Sequence, residues 1–294
     1  MRECVYKLKD QYSISAICKT IGVARSTIYY KETLKLPDLE LEEQVISIFR
    51  RSRHNYGTRK IQMKLRKINI IASRRKIGQI MRKYHLVSNY IKNRPKQRHQ
   101  SCNNDDLPNL LARNFHREVE LDVVVSDLTY VRVAGTWCYV CLIVDLWNRE
   151  IIGYAVGKKK TAELVYQAIA SIPYSLDKIN IFHTDRGNEF KNNMIDKLIS
   201  TFDLKRSLSA KGTPLDNAVI EATNHILKTE FIYQEQFQTI RDLRVKLSGY
   251  IHWYNYERIH GSIDYMTPIE YRYAYGKQIN LTQPLVFLQN AGEA

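Results

Sequence analysis

Residues 121–157 read LDVVVSDLTYVRVAGTWCYVCLIVDLWNREIIGYAVG, and their pattern decides the class of fold. Apolar residues recur at every second position or in β-branched runs, the habit of extended chain rather than helix. Gly135 and Asn148 mark turns, so strands over 121–133, 137–146 and 149–157 form an antiparallel meander. Downstream the period lengthens. Ala162, Leu164, Val165, Ala168, Ile169 and Ile172 outline a helix over 161–172. A strand over 179–183, a helix over 190–202, a short strand over 204–208 and a helix over 214–230 follow. Periodicity alone makes this βββαβαβα order an α/β domain. A further helix over 237–256 carries Tyr250, Trp253 and Tyr254 at i, i+3, i+4 spacing, which reads as core.

Upstream the chain is helical and basic. Residues 12–31, YSISAICKTIGVARSTIYYK, have the pattern of a helix–turn–helix. Ser13 or Ser15 caps the first helix, and Gly22 makes the turn. The second helix starts near Ala24 and presents Arg25, Ser26, Thr27 and Tyr30 outward. A structural helical hairpin is the plainer alternative. Residues 39–53 form another helix, followed by two short ones with the apolar stripes Ile61/Leu65 and Ile77/Ile80/Met81, the latter capped by Ser73. Their other faces hold Arg59, Lys60, Lys64, Arg74, Arg75 and Lys76. Of the formal charge of +15, residues 1–100 contribute +17 (24 basic, 7 acidic), and residues 51–100 hold 16 basic residues and no acid. A basic block of this kind fits a polyanion whose phosphates it would neutralise, with a solvated basic face as the bland reading. The resulting division is a helix–turn–helix at 1–35, a basic helical DNA-binding module at 36–92, a polar linker at 93–119, the α/β core at 120–275 and a tail at 276–294.

Five scattered cysteines fit a reducing compartment. Cys138 and Cys141 form a CxxC, but on a strand residues three apart face opposite sides, which argues against a shared metal. The N-terminal MRECVYKLKD lacks the apolar stretch of a signal peptide, and no apolar run approaches a membrane span.

Three carboxylates stand out in the α/β part. Asp127 lies in the first strand, Asp185 where an apolar run breaks at HTDRG, and Glu221 on a helical pattern, with thirty-five residues between the last two. Two aspartates leaving adjacent strands and a helical glutamate can converge on a hard divalent cation such as Mg²⁺. The words SDLTYV, VDLWNREIIGYAV, HTDRG, KGTPLDNAVIEA and YNYERIHGSIDYMTPIEY, in this order, resemble the catalytic motifs of OrfB-type bacterial insertion-sequence transposases. These belong to the DDE transposase and retroviral-type integrase superfamily. The resemblance runs from about Tyr56 to about Tyr271.

The resemblance implies a ribonuclease-H-like core, a mixed five-stranded sheet with flanking helices, preceded by all-α DNA-binding modules. It implies an enzyme that cuts double-stranded DNA at element ends and joins 3′-hydroxyl ends to target DNA. Asp127, Asp185 and Glu221 would hold two Mg²⁺ or Mn²⁺ ions. Lys228, at i+7 to Glu221, matches a family lysine expected to contact DNA near the cleaved end; Asn217 would touch DNA, and Arg186, Lys211, Arg258 and His260 are weaker DNA candidates. Asn217, at i−4 to Glu221, would alternatively orient that glutamate. The expected partners are a homo-oligomer on DNA and an upstream-frame OrfA product, in the bacterial cytoplasm near the nucleoid. A non-catalytic DNA-binding regulator is the alternative.

The remaining acids read as structural. Asp145 ends a strand, Asp216 suits a helix start, Asp122 faces away from Asp127, and Glu189 points to solvent. His183 reads as a core histidine. Two departures from the family pattern are visible: valines precede Asp127 where a tryptophan is usual, and Ala222-Thr223-Asn224 follow Glu221 where aromatic residues are frequent.

Overall fold

The computed structural model describes residues 8, 12–25, 38–91, 109–111, 114–185, 187–190, 192–209 and 214–276. The chain divides into two units, Met1–Glu43 and Gln44–Ala294. In the first, α1 (Ile14–Thr20) is capped by Ser13, whose hydroxyl accepts from the Ala16 N–H at 3.2 Å. Ile17 and Cys18 are its buried residues, and Gly22 turns the chain with φ +67°. Arg25 is exposed and helical, whereas Ser26, Thr27 and Tyr30 of the expected second helix lie outside the described residues. Helix α2 (Leu39–Arg51) carries acids in its first turn and arginines in its last, as the helix dipole favours.

The second unit begins at Gln44, within α2, and continues with α3 (Thr58–Lys67) and α4 (Arg74–Lys83). Ile61, Leu65, Ile77, Ile80 and Met81 are buried, and the Ser73 hydroxyl accepts from Lys76 N–H at 3.1 Å. The apolar stripes and the cap therefore fall where the sequence pattern sets them. The sheet comprises β1 (Val123–Val133), β2 (Thr136–Asp145), β3 (Ile151–Gly157), β4 (Ile181–Thr184) and β5 (Lys205–Leu208), in the order β3-β2-β1-β4-β5. Pairs β1–β2 and β2–β3 are antiparallel, and β1–β4 and β4–β5 parallel. Ala134 and Gly135, with φ of 44° and 84°, form the tight two-residue hairpin between β1 and β2.

Helices cover both faces, as a ribonuclease-H-like core requires. On one lie α5 (Ala162–Ala170) and α6 (Asn193–Thr201), packing Leu164, Ile169 and Ile195 against Val124, Cys141 and Ile143. On the other lie α7 (Ala218–Glu230) and α8 (Ile240–Tyr256), packing Ile220, Leu227, Leu243 and Tyr250 against Val123, Val125, Val140 and Leu142. Cys138 belongs to the second face and Cys141 to the first, so this CxxC cannot converge on one ion. Tyr250, Trp253 and Tyr254 are buried core residues. A last helix, α9 (Pro268–Tyr275), starts with a capping box between Thr267 and Glu270.

Two helices begin later than the apolar pattern suggests. Residues Pro214–Asn217 form a 3₁₀ turn ahead of α7, which places Glu221 in the first α-helical turn. Helix α8 starts after Thr239, whose hydroxyl accepts from Asp242 N–H at 3.0 Å. Asp145 is fully buried and structural: it accepts from Trp147 N–H at 2.9 Å, Leu121 N–H at 3.2 Å and Arg272 Nη2 at 3.2 Å.

Close approach of β3 to α5 depends on Gly153. A Cβ there would lie 2.6 Å from the Ala168 carbonyl oxygen and 2.9 Å from Ile172 Cγ1. The first of these is backbone and cannot swing aside. Gly153→Ala is therefore expected to cost about 1–3 kcal/mol, the usual cost of overpacking. Thermal or urea denaturation checks this, and an unchanged midpoint would refute the packing argument.

Candidate active site

Odd-numbered residues of β1 from Val123 to Val133 face α7 and α8, so Asp127 lies on that side. The parallel register pairs Ser126 with Thr184, the last residue of β4. Asp127 and Asp185 are the next step along the two strands, which are about 4.8 Å apart in any sheet. Asp185 accepts from Gly187 N–H at 2.9 Å. Asp127 accepts from Leu128 N–H at 2.7 Å through Oδ1 and from Asn224 Nδ2 at 2.8 Å through Oδ2. Burial pushes the Asp127 carboxyl up to about 7, and the neighbouring charge of Asp185 adds to the shift. Asp185 is also raised, by burial and then by the charge of Glu189.

Helix α7 lies across this pair. Asn224 reaches Asp127, and one turn later Lys228 Nζ sits 4.5 Å from the centre of the Tyr130 ring. Burial lowers the Lys228 pKa, and the charge of Asp127 partly restores it. Glu221 lies one turn before Asn224 on the same face. Among the described residues, no three His, Cys, Asp or Glu side chains are gathered closely enough to hold a metal ion. The donor set nevertheless fits a hard cation: two neighbouring carboxylates, each burdened by the charge of other acids, with a third on the adjoining helix.

Glu189 corrects the sequence expectation. Instead of pointing to solvent it is 7% exposed and paired with Lys160 at 2.9 Å. The 3₁₀ turn Asn188–Phe190 buries Phe190 and turns the acid inward over Gly187, where any Cβ would meet the Glu189 carboxylate. Burial is the largest single influence on Lys160 and lowers its pKa, but Glu189, then Asp185 and Asp127, together outweigh it and raise the pKa. Sequence reasoning missed Lys160, one of three consecutive lysines just beyond β3, and it missed Asn224. For Asn224 the i+3 spacing from Glu221 was the available signal.

Arg258 is a second correction. It is 4% exposed and forms a double ion pair with Glu230, Nε to Oε2 at 2.8 Å and Nη2 to Oε1 at 2.8 Å, so it is an interior group rather than a DNA contact. His260 is buried beside it, edge-on to Tyr254. Asn217 is also buried, at 4% exposure, leaving almost no surface for DNA. His183 is a neutral core histidine whose Nδ1 meets Ser207 Oγ at 2.8 Å, and burial lowers its pKa to about 4. Asp122 faces away from Asp127, toward Arg117 at 3.8 Å. Among the basic candidates, Arg59, Arg74 and Arg75 are exposed and Lys64 and Lys76 partly so. Lys60 lies over the Tyr56 ring at 5.1 Å, and burial followed by repulsion from Arg258 lowers its pKa to about 7. Lys211 and Arg186 lie outside the described residues.

Two integrase core domain families match residues 118–214 and 203–268. The InsK protein of insertion sequence element IS150 of Escherichia coli K12 is 28% identical over 274 residues, covering 90% of this chain and 95% of its own. The transposase InsF of insertion sequence IS3A, from the same strain, is 26% identical over 278 residues, covering 91% and 96%. Over about nine-tenths of its length the chain is thus similar to OrfB-type insertion-sequence transposases. An HTH-like domain family matches residues 37–94 of this chain, the span of α2, α3 and α4. The catalytic core domain of HTLV-2 integrase, solved in complex with magnesium, aligns with a TM-score of 0.41 at 16% identity, covering 52% of this chain and 96% of that one. Among the described residues no helix is long and apolar enough to cross a membrane.

Proposed function

We propose that this chain is a transposase that cleaves DNA at the ends of its element and joins the resulting 3′-hydroxyl ends to target DNA, with Asp127, Asp185 and Glu221 as the metal-holding residues. The observation that carries the reading is Asp127 in β1 beside Asp185, the residue just past the neighbouring parallel strand β4, with the Glu221 helix anchored across the pair through Asn224. Mg²⁺ or Mn²⁺, bound as a pair, would supply stabilisation of the attacking and leaving oxygens of the phosphodiester exchange. Asp127 would hold these ions from within β1, Asp185 from just past the end of β4, and Glu221 from α7. Lys228, beside Asp127, would meet a DNA phosphate next to the reacting one. Its lowered pKa and its seat on Tyr130 make it a less hydrated cation than a surface lysine.

The basic helices supply affinity in this reading. Arg59, Arg74, Arg75 and Lys76 would contact phosphates of the element end, and the N-terminal helical pair with Arg25, Ser26 and Thr27 would read base edges. The active form would be a homo-oligomer on DNA, joined by an upstream-frame product. The domain limits proposed from sequence, 1–35, 36–92, 93–119, 120–275 and 276–294, carry over to this reading. Joining of a labelled element end to plasmid by the purified chain in Mg²⁺ tests the chemistry. The basic module is tested separately. Arg74→Ala with Arg75→Ala is expected to weaken binding of all DNA sequences alike and to reduce the salt slope by about 2, roughly one per lost phosphate contact. An unchanged slope would remove these arginines from the interface.

A further inference from the structure

We infer that Asn224 is a positioning residue of the metal site, whose amide nitrogen fixes Asp127 and whose carbonyl oxygen accepts from a water in the hydration shell of the bound cation. This rests on the metal-holding role proposed for Asp127. Each carboxylate oxygen offers about two lone-pair sites. On Asp127, Leu128 N–H takes one site on Oδ1 and Asn224 Nδ2 one site on Oδ2, at 2.7 and 2.8 Å. The carboxylate plane is thus held from two elements, β1 and α7, while each oxygen keeps a site for a cation.

The orientation of the amide follows from its partner. Only the NH₂ end can face a carboxylate oxygen, so Oδ1 of Asn224 is turned elsewhere. That oxygen is buried, in a residue 6% exposed, and has no hydrogen-bond partner among the described residues. A buried acceptor left empty is uncommon in folded proteins and calls for a donor. Waters on a divalent cation are strong donors, and Mg²⁺ keeps several of them. Asn224 also stands between Glu221, one turn before it, and Lys228, one turn after, on the face of α7 turned to Asp127. A residue whose only task was to pin α7 to β1 would not need the second, empty polar end.

The test uses the full chain and Mn²⁺ alone, followed by the paramagnetic resonance signal of the free ion, so that activity is not the readout. Asn224→Leu, of similar volume, is expected to weaken Mn²⁺ binding by about 10–100-fold, as loss of an outer-shell partner does. Asn224→Gln, which keeps both ends of the amide, is expected to restore most of that loss. Asn224→Ala repeats the measurement without any steric demand, should the leucine variant melt early in metal-free buffer. Asp127→Asn separates the two ideas. If it binds Mn²⁺ as wild type does, the metal role of Asp127 falls and this inference with it. If it loses Mn²⁺ while folded Asn224→Leu and Asn224→Ala titrate like wild type, the role of Asn224 alone is overturned.

Discussion

Glu221→Gln is expected to abolish joining, by about a thousandfold or more, while metal-free binding to element-end DNA is unchanged or slightly tighter. The exchange keeps the size of the side chain and its helix and removes only the charge and one acceptor. Stabilisation of the reacting phosphate by a metal is worth several kcal/mol, and about 4 kcal/mol corresponds to a factor of roughly a thousand. Binding moves the other way because a carboxylate near phosphate repels it, an effect that salt screens. Glu221 lies in the first turn of α7, and acids there also suit the helix dipole. A purely structural glutamate would therefore cost at most about 1 kcal/mol of stability on neutralisation and leave joining within a fewfold of wild type. Asp127→Asn and Asp185→Asn are expected to match Glu221→Gln in joining. Time courses with labelled DNA in Mg²⁺ and in Mn²⁺ measure this. Joining by Glu221→Gln at a tenth of the wild-type rate would remove Glu221 from the metal-holding set.

The sheet was legible because β1 and β2 are long, β-branched and divided by a glycine turn, so period and punctuation agree. The same alternation separates Cys138 from Cys141 along β2, and Asp127 in β1 from Asp122 just before it. Helix starts were less legible where a side-chain cap or a 3₁₀ turn sets them, as Thr239 and Pro214–Asn217 do, since apolar spacing does not register a cap. Burial of charge was the least legible property. Arg258 and Glu189 each read as exposed, because a charged residue is rarely fully buried unless paired. Their partners, Glu230 and Lys160, lie 28 and 29 residues away in the chain, a separation that no periodicity reveals. Asn224 was missed for a related reason: its significance is a contact with Asp127, 97 residues earlier.

The Arg258–Glu230 pair supports the second large expectation. Glu230 ends α7, the helix that carries Glu221, and is 1% exposed. Besides both Arg258 contacts it accepts from Tyr90 Oη at 2.5 Å and Tyr250 Oη at 3.3 Å. Tyr90 lies at the end of the basic helical segment, and the Tyr56 hydroxyl of that segment accepts from Ile259 N–H at 2.9 Å, next to Arg258. The pair thus ties α7, the helix that carries Glu221, to the segment read as DNA-binding. Arg258→Met leaves a buried carboxylate without its cation and is expected to cost about 3–5 kcal/mol, or roughly 10 °C in melting temperature. Arg258→Met with Glu230→Leu removes both charges and is expected to recover at least half of that loss. The acid response provides an independent sign. Burial raises the Glu230 pKa, but Arg258 overrides it and holds the folded value below the ordinary 4.5. A depressed carboxyl stabilises the fold above its unfolded pKa, and that contribution fades as pH falls through the folded value. Wild type should therefore lose stability below about pH 4.5 more steeply than the double variant. Because Arg258 is interior, the double variant should bind DNA with an unchanged salt slope, whereas a phosphate-contacting arginine would lower the slope by about 1. Single variants that melt like wild type would show that the pair contributes nothing to the fold, and a lower slope would return Arg258 to the DNA surface.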